Sequence, residues 1–328
     1  MEPIAVDVMG TDNGPAEIVA GAREASEKMG HPVMLVGQPD ALGDTGSLEI
    51  FAASEVIAMG EDAASSVRRK KDASVVRAAE LVRDGKASAM VCPGNTGAAM
   101  GSALLRLGRL PGVSRPAIAT PLPVPGTTPT VLLDAGANSE CQPAWLVQFA
   151  QMGAAYAAGR YDIASPRVGL LSIGEEDTKG SNLVKETNAL LRNPDVWQGS
   201  GGTFIGNVEG RDLLTDRLDV VVTDGFTGNV VLKTLEGAMR FMRRAVVGAL
   251  TATEEAAQAS QNVLPLLLPL ATQMDPDSYG GALLLGVDGV CIISHGSSSS
   301  AAIVNAIKAA SELVEQGLLD RLRRSVKG

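Results

Sequence analysis

Short runs of aliphatic, often β-branched residues alternate with helical stretches along the chain, and this alternation is the strongest constraint on its fold. The first run, Ile4 to Val8, is followed by a Gly-rich turn and by a helical stretch from Ala16 to Met29. Near-continuous apolar strands that alternate with helices are typical of a mostly parallel sheet that is buried on both faces. The sequence therefore predicts an α/β fold, a mostly parallel sheet flanked by helices (α/β/α). The further runs that we interpret as strands are Val33 to Val36, Val56 to Ala58, Ala89 to Cys92, Ala117 to Thr120, Thr130 to Leu133, Val168 to Ser172, Thr203 to Ile205, Val220 to Thr223 and Val290 to Ser294.

The turns after these strands combine Gly with Asn, Asp, Ser or Thr. In an open sheet of this kind, ligands bind in the crevice outside the carboxyl ends of the strands. We therefore expect these turns to point from one edge of the sheet and to form a site there. The turns are Asp7 to Asp12, Cys92 to Gly101, Asp134 to Glu140, Gly174 to Asn182, Gly206 to Asp212, Asp224 to Asn229 and Ser294 to Ser300.

Two of the turns have the composition of a phosphate cradle. GNTGAAMG opens a predicted helix from Thr96 to Leu107, and HGSSSSAA opens a predicted helix from near Ser298 to Leu318. Gly allows the backbone to approach a ligand closely, and the first N–H groups of a helix are unpaired and carry a partial positive charge. The same residue types also make ordinary tight turns and helix caps, so each turn taken alone has a purely structural interpretation as well.

Composition excludes several classes of protein. The chain has 28 Lys and Arg residues against 37 Asp and Glu residues, a net charge of −9, and only 5 Phe, 2 Trp and 3 Tyr. It therefore lacks the basic footprint and the aromatic surface of a nucleic-acid-binding protein, and we predict no nucleic-acid partner. The 3 cysteines are widely spaced and form no metal-ligand pattern. This predicts neither disulfides nor a zinc site and favours the cytoplasm.

Several motifs that would indicate other chemistry are absent. The sequence has no GxGxxG after the first strand, no GxxxxGK[ST] and no GxSxG, which argues against a dinucleotide site, a P-loop and a hydrolase elbow. The N-terminal residues read as a first strand rather than as a signal peptide. Of the 2 histidines, His31 lies in a helix-to-strand connection and is expected at the surface, whereas His295 lies in a ligand-facing turn and is a candidate for acid–base chemistry.

Ordered blocks over essentially the whole chain resemble one known family. The blocks are AVDVMGTDNGP, SSVRRKKDAS, CPGNTGA, LLDAGAN, GLLSIGEEDTKGS, FIGNVEGRD, VVVTDGFTGNVVLKTLEG and YGGALLLGVDGVCIISHGSS. In these blocks the chain is similar to the bacterial phosphate acyltransferases of phospholipid synthesis, the PlsX family of acyl-ACP:phosphate transacylases. The resemblance implies a fold like that of phosphate acetyltransferases and isopropylmalate-type dehydrogenases.

The resemblance also implies an activity and partners. Acyl-ACP and inorganic phosphate would react to acyl phosphate and free ACP, by direct attack of bound phosphate on the thioester, with no cofactor and no metal. It implies a homodimer, and a product that a membrane-bound glycerol-3-phosphate acyltransferase consumes, which favours peripheral membrane association of a cytoplasmic enzyme. Two alternatives stay open at this point: a phosphate acetyltransferase acting on short-chain acyl-CoA, and a membrane-surface scaffold that retains only the fold.

Three sets of residues are candidates for the site. Neutral amides would polarise the thioester carbonyl, lysines would supply fixed charge, and His295 would orient phosphate or protonate the leaving sulfur. The candidate phosphate ligands are Lys70, Lys71, Gly94, Asn95, Thr96, Gly97, Gly296 and Ser297. The candidate catalytic residues are Lys179, Asn207, Asn229, Lys233 and His295. Supporting acidic and polar residues, which would orient the lysines and the histidine or act as a base, are Asp7, Asp12, Asn138, Glu175, Glu209 and Asp224.

Two of these features have competing interpretations. The basic run from Arg68 to Lys71 is either a phosphate contact or a solvated loop. Cys92 ends a strand directly before the GNTG turn, which suits an acyl-enzyme thioester. We favour a small buried hydrophobe at this position, because no histidine lies beside it in sequence.

The region after the last acidic turn predicts a helical extension. Val230 to Leu250 has the periodicity of a long helix with a packing seam at Val231, Leu235, Ala238, Met242, Ala245 and Ala249. Lys233, Arg240, Arg243 and Arg244 lie off this seam and form a basic stripe, with the three arginines as the candidate docking residues. The stripe is a candidate docking surface for the acidic carrier, and a merely solvated helix face is the alternative.

A Leu- and Pro-rich segment follows, from Val263 to Leu270. It is far shorter than the roughly 20 residues of a membrane span, and its two prolines predict against an uninterrupted helix. The side chains of Leu264, Leu266, Leu267 and Leu268 would form an apolar tip that either packs against a dimer partner or inserts into a membrane surface. We thus interpret the chain as one unit over 1–328, with two α/β lobes around a cleft and a helical extension over 226–280.

Overall fold

The computed structural model describes residues 2–12, 14–274 and 276–326, and a single 11-stranded sheet runs through this part of the chain. The strands are β1 (Ile4–Asp7), β2 (Val33–Gly37), β3 (Glu49–Ala52), β4 (Ala89–Pro93), β5 (Ala117–Leu122), β6 (Thr130–Leu133), β7 (Arg167–Leu171), β8 (Thr203–Val208), β9 (Val220–Val222), β10 (Ala282–Leu285) and β11 (Val290–Ser294). The helices are α1 (Ala16–Met29), α2 (Ala63–Arg69), α3 (Ser74–Arg83), α4 (Thr96–Arg106), α5 (Pro143–Tyr161), α6 (Asn182–Leu191), α7 (Gly225–Leu250), α8 (Glu254–Ser260), α9 (Leu264–Gln273), α10 (Ser300–Glu315) and α11 (Leu318–Ser325).

Both faces of the sheet are covered by helices, because successive side chains of each strand point to opposite faces and both sets are apolar. One face packs against α1, α5 and α10, through core residues such as Ile18, Phe149 and Ile303. The other face packs against α2, α3 and α4, with Val67 and Val76 among its core residues. The predicted three-layer α/β fold is confirmed.

The two halves of the sheet run in opposite directions. The strand order is β3-β2-β1-β4-β11-β10-β5-β6-β9-β7-β8. Pairing is parallel from β3 to β11 and from β6 to β8, but β10 is antiparallel to β11 and to β5, and β5 is antiparallel to β6. The expectation that all the polar turns share one edge is therefore wrong. The turns after β4 and β11 lie at one edge, and those after β6, β7, β8 and β9 lie at the opposite one.

Three strand assignments differ from the sequence prediction. The run Val56 to Ala58 is not a strand: Ile57 is buried, but it lies in a loop. The neighbouring strand is instead β3, an edge strand with exposed ends that pairs only with β2. The strand β10 was not predicted. The helix predicted from near Ser298 to Leu318 is α10, which ends at Glu315, and a further helix, α11, begins at Leu318.

The helical extension consists of α7, α8 and α9. Of the residues of α7, only Gly225, Gly228 and Glu236 are buried, and no residue of α9 is. The predicted seam is half-buried at Val231 and Leu235, while its later members from Ala238 to Ala249 are exposed within the described chain. The expectation that the Leu- and Pro-rich segment is a poor helix is wrong.

That segment forms α9, with Pro265 in its first turn, where the missing N–H costs nothing, and Pro269 inside it. Among the described helices, none is both long and apolar enough to cross a bilayer.

Candidate active site

A polar cavity of about 500 Å³ lies over β5, in the middle of the sheet. Both halves of the sheet contribute to it, since strand direction reverses in this region. Thr96 and Gly97 reach it from the end of β4, His295 from the end of β11, and Gly136 from the end of β6. Its remaining lining residues are Met100, Ile118, Thr120, Pro121, Ala135, Asn229, Leu232, Lys233, Glu236, Gly281, Ala282, Ile293, Ser294, Ser298 and Ala302.

The start of α4 supplies one wall. Asn95 caps this helix, its Oδ1 accepting a hydrogen bond from the N–H of Ala98 at 3.0 Å. Thr96 and Gly97 are then the first helical residues, so backbone N–H groups without an intrahelical partner face the cavity region. The dipole of an 11-residue helix adds partial positive charge there, which suits an anion.

Three hydroxyl groups in the same cavity have no hydrogen-bond partner among the described residues. They belong to Thr120, Ser294 and Ser298, which are 9%, 8% and 3% exposed. A buried hydroxyl that is left unpaired costs free energy, so such groups are rare unless a ligand or water satisfies them. Three of them around one cavity indicate a ligand rich in oxygen acceptors.

Charge enters the cavity from α7. The Lys233 Nζ donates to both carboxylate oxygens of Glu236, at 3.1 and 3.0 Å. The same carboxylate lies 3.7 Å from the His295 Nε2. Glu236 is 8% exposed, whereas the side chains of Lys233 and His295 are about half exposed. One buried carboxylate thus binds a lysine and lies beside a histidine at the mouth of the cavity.

Asp134 organises the loop that forms the opposite wall. Its carboxylate accepts from the N–H groups of Ile118, Gly136, Ala137 and Asn138 and from the Asn138 Nδ2, all within 3.1 Å. The Asn138 Nδ2 also donates to the Pro116 carbonyl, so both of its hydrogens are used in holding the loop. The side chain of Asn229, by contrast, lines the cavity and packs on Gly136.

The basic loop that was predicted to bind phosphate lies elsewhere. The Lys70 Nζ donates to the Val56 carbonyl and to Glu61 Oε1, each at 2.7 Å, and this bond lowers the pKa of Glu61 to about 2. Lys71 is exposed and lines neither cavity described here. The structure therefore shows Lys70 tying two loops together, and it does not bring either lysine to the polar cavity.

The candidates that follow β7 and β8 form a separate group. Asn207 is buried, its Nδ2 donating to the Glu176 carbonyl and its Oδ1 accepting from Asn188. The exposed Lys179 lies in the turn after β7. Glu175 and Glu209 pair with arginines in the same region. None of these four candidates lines the polar cavity.

Three of the acidic candidates are structural in their contacts. Asp224 caps α7, accepting from the N–H and the hydroxyl of Thr227. Asp12 donates its backbone N–H to the Gly296 carbonyl, and its carboxylate lies against Gly296. Asp7 is buried at the end of β1, and burial raises its pKa to about 7.

The two remaining glycine and serine candidates flank the cavity without facing it. Gly94 packs close to the backbone of Gly10, where a Cβ would lie 3.3 Å from the carbonyl oxygen. Ser297 lines a separate apolar groove, formed mainly by α7 and α9, rather than the polar cavity.

Cys92 is 2% exposed and lines neither cavity, and burial raises its pKa well above the usual range. These features support the small buried hydrophobe rather than a thiolate nucleophile. Within the described residues, no group of three or more His, Cys, Asp and Glu side chains has an arrangement that could hold a metal ion.

A second space, the apolar groove, continues outward from the polar cavity along the extension. Its volume is about 750 Å³, and it shares Lys233, Glu236 and His295 with the polar cavity. The other lining residues are Met239, Arg240, Met242, Arg243, Val246, Val247, Leu264, Leu267, Leu268, Leu270, Ala271, Met274 and Ser297. Two of the predicted docking arginines, Arg240 and Arg243, thus line the groove, while Arg244 is exposed beside it. Leu264, Leu267 and Leu268 line it from α9, and Leu266 projects outward with 75% of its surface exposed.

Residues 3–321 match the family described as "Fatty acid synthesis protein". The chain belongs to this family. A protein named phosphate acyltransferase from Heliobacterium modesticaldum is 47% identical to it, covering 99% of this chain and 98% of the relative. A second phosphate acyltransferase, from Thermosynechococcus vestitus, is 45% identical, covering 98% of this chain and 94% of the relative. The resemblance found in the sequence blocks is thereby confirmed.

Solved structures of other proteins share the fold. A branched-chain phosphotransacylase from Enterococcus faecalis aligns with a TM-score of 0.61 at 16% identity, covering 95% of this chain and 99% of that one. A putative 4-hydroxythreonine-4-phosphate dehydrogenase from Salmonella typhimurium aligns with a TM-score of 0.53 at 13% identity, covering 95% and 99%. At these identities the likeness concerns the fold alone, and it agrees with the predicted α/β class.

Sequence reasoning did not select Thr120, Ser294, Ser298, Glu236 or Asp134. Ser294 and Ser298 lie within the HGSSSS turn that was singled out, so composition pointed to the turn but not to these members. Thr120 stands as a lone hydroxyl near the end of an apolar strand, which is a weak signal. Glu236 has no sequence signal at all, because its partner His295 is 59 positions away in the sequence.

Proposed function

We propose that this protein is a phosphate acyltransferase that converts acyl-ACP and inorganic phosphate to acyl phosphate and free ACP, for phospholipid synthesis. The observation that carries the proposal is the set of three hydroxyls in the cavity at the start of α4 that have no partner within the described part of the chain. The chain is also 47% identical to a named phosphate acyltransferase. Phosphate offers several oxygen acceptors in a small volume, which is the ligand chemistry that these donors require.

The proposed reaction needs no enzyme nucleophile. A phosphate oxygen attacks the thioester carbonyl carbon, a C–O bond forms, the C–S bond breaks, and the pantetheine sulfur leaves as a thiolate that takes up a proton. Hydroxyls of Thr120, Ser294 and Ser298 and the N–H groups at Thr96 and Gly97 would hold phosphate in the polar cavity. Holding two reactants in one place and orientation supplies a large part of the rate enhancement in such a step.

The residues of α7 would act on the thioester. Asn229 is placed to donate to the carbonyl oxygen as negative charge develops on it, and Lys233 adds fixed positive charge. Glu236 would keep Lys233 and His295 in position, and His295 would orient phosphate or protonate the leaving sulfur. We keep Lys179 and Asn207 as weaker proposals, because both lie outside the polar cavity.

Removing the hydroxyls tests the phosphate site. Thr120→Val and Ser298→Ala should each raise the KM for phosphate by about 10- to 150-fold while leaving the KM for acyl-ACP within about twofold, since a lost hydrogen bond to a charged ligand is worth roughly 1.5–3 kcal/mol. Ser102→Ala is the matched control, because its hydroxyl is also buried and unpartnered within the described chain but lines neither cavity.

The assay follows phosphate-dependent release of ACP from acyl-ACP, with acetyl-CoA as the second acyl donor. An unchanged KM for phosphate in both variants would contradict the assignment of the cavity. Faster turnover of acetyl-CoA than of acyl-ACP would favour a phosphate acetyltransferase, and absence of phosphate-dependent release would favour a scaffold.

For carrier recognition we propose the basic stripe of Arg240, Arg243 and Arg244. All three arginines are exposed, on a protein with net charge −9, so they concentrate positive charge where an acidic carrier could dock. Arg240→Glu together with Arg244→Glu should raise the KM for acyl-ACP and leave kcat unchanged. A KM equal to that of the wild type would exclude docking at this stripe.

We also propose that the chain acts as a homodimer in the cytoplasm and touches the membrane peripherally, where a glycerol-3-phosphate acyltransferase consumes the acyl phosphate. The extension supports this proposal because it carries large apolar side chains that are mostly exposed, and apolar patches of this kind mark interfaces. They are Phe241, Met242, Leu266 and Leu268, with exposed fractions of 69%, 58%, 75% and 65%.

Leu266→Ser with Leu268→Ser should abolish sedimentation with anionic liposomes. A variant that sediments normally but is monomeric by light scattering would assign the patch to the dimer instead.

A further inference from the structure

The start of α4 is held in place from outside the polar cavity by the side chain of Asn95. Its Oδ1 caps the helix, as described above, and its Nδ2 reaches in the other direction to the loop over residues 56–61. There the Nδ2 donates to three carbonyl oxygens, at 3.2, 3.2 and 3.4 Å. Asn95 does not line the cavity, whereas the next two residues, Thr96 and Gly97, do. The position of their N–H groups therefore depends on where this loop lies.

The 56–61 loop is shaped by the carboxylate of Glu61. Its Oε1 accepts from the N–H of Ala58 at 2.9 Å, and its Oε2 accepts from the hydroxyl of Ser66 at 2.9 Å. The Lys70 Nζ donates both to this carboxylate and to the carbonyl of Val56, each at 2.7 Å. Lys70 thus ties the two ends of the loop together, and its side chain is only 24% exposed.

Close packing couples the same loop to the backbone around the cavity. A Cβ at Gly10, in the turn after β1, would lie 2.7 Å from the carbonyl oxygen of Ile57. A Cβ at Gly97 would lie 2.8 Å from that of Ala63, the first residue of α2, which follows the loop directly. Contacts as close as these leave no free space, so a shift of the loop or of α2 displaces the start of α4.

Resting on the proposed function, we infer that Lys70 and Glu61 are positioning residues that hold the phosphate-binding start of α4 in place through Asn95. Neither of the two lines the polar cavity, and the Lys70 Nζ already donates to two protein oxygens. Groups that bind a ligand must be held within about 0.5 Å of their productive position by such supporting contacts. Without the ion pair the loop loses its shape, and the N–H groups at Thr96 and Gly97 no longer converge on one anion.

Breaking the ion pair from either side tests this inference. Lys70→Met and Glu61→Ala should each raise the KM for phosphate about tenfold, because a misplacement of about 1 Å costs up to about 100-fold and a smaller shift costs less. The KM for acyl-ACP should stay within about twofold. The double variant should be no worse than either single one, since both remove the same contact. Lys71→Met is the matched control: it removes the same charge from the adjacent, exposed position and should change neither constant.

Glu61→Ala also separates positioning from direct binding. If Lys70 bound phosphate itself, its release from Glu61 would strengthen phosphate binding, so an unchanged or lowered KM for phosphate in this variant would overturn the inference. Asn95→Ser tests the connection to α4, because a serine hydroxyl still caps a helix but is too short to reach the loop. It should raise the KM for phosphate as much as Lys70→Met does, and a wild-type KM would exclude action through Asn95.

Titration calorimetry with inorganic phosphate alone separates this inference from the proposed function. The Kd for phosphate should rise about tenfold in Lys70→Met, in step with KM. If the wild type binds phosphate but releases no ACP from acyl-ACP, the proposed activity is wrong, and a weaker Kd in Lys70→Met still supports positioning. If the wild type is active and Lys70→Met binds phosphate normally, the inference alone is wrong. A rise in both KM values together with a lower melting temperature would show that Lys70 serves only the stability of the fold.

Discussion

Burial of one carboxyl group should make this protein less stable as the pH rises from about 4 to about 7. Asp7 ends β1, is 5% exposed, and accepts a hydrogen bond from the N–H of Met9 at 3.1 Å. Burial raises the pKa of Asp7 from 3.8 to about 7, although hydrogen bonds from Ser74 and Met9 oppose it. The folded chain therefore keeps this proton to about pH 7, whereas the unfolded chain loses it near pH 3.8.

The sign and size of the effect follow from linkage. Between the two pKa values the folded state binds one more proton than the unfolded state, so the free energy of unfolding decreases with rising pH. The contribution of Asp7 is fully present below pH 3.8 and is lost as the pH rises through about 7. At 1.36 kcal/mol for each unit of pKa, the interval corresponds to about 4 kcal/mol.

Urea unfolding of the wild type and of Asp7→Asn, at a series of pH values from about 4 to about 8.5, measures this contribution. Asn is neutral and of the same shape, so the variant should lack the decline and should exceed the wild type by several kcal/mol above pH 7. Asp12→Asn, an exposed position in the following turn, should keep the wild-type decline. Parallel curves for the wild type and Asp7→Asn would refute the reasoning.

Four further substitutions test other parts of the structure. Cys92→Ala should retain kcat within about twofold, because the thiol is buried away from both cavities, and a loss of more than about tenfold would restore the acyl-enzyme mechanism. Asp134→Asn should lower the free energy of unfolding by about 2–3 kcal/mol, because an NH₂ group replaces one carboxylate oxygen that accepts hydrogen bonds from backbone N–H groups. An unchanged urea midpoint would contradict the role of Asp134. Gly228→Ala would place a Cβ 1.9 Å from the Asp134 carbonyl oxygen and should lower the free energy of unfolding by more than about 3 kcal/mol. Gly237→Ala lies in open space on the same helix and should raise the free energy of unfolding by about 0.5–1 kcal/mol. Equal effects of the two substitutions in thermal melts would show that α7 does not pack as described.

The sheet was largely predictable because most of its strands are buried on both faces and are therefore apolar throughout. β3 was not predictable in this way, since its outer residues Glu49 and Ala52 are exposed at the edge of the sheet. Ile57 produced a false strand because it is buried in a loop, and burial without pairing looks the same in a sequence. Strand direction was also not readable, because β5 and β10 are as apolar as their parallel neighbours.

The structure brings some of the predicted site residues into one cavity and places others in separate structural contacts. The GNTG and HGSSSS turns indicated an anion site, and Thr96, Gly97 and His295 do line one cavity. Lys70 and Asn207 have the same residue types and turn positions, but they are engaged in tying loops together. Only the packing of the whole chain separates these two uses of a polar side chain.

The buried residues of α7 all lie in the first half of the helix. Its base is fixed at Gly228, while Val246 and Val247 near its far end are 38% and 44% exposed. At 1.5 Å per residue, Val247 lies about 28 Å along the helix from Gly228, and Lys233 only about 8 Å. The outer part of the extension therefore offers its surface to a carrier, a lipid surface or a second copy at a distance from the sheet, while the charged side chains at its base line the polar cavity.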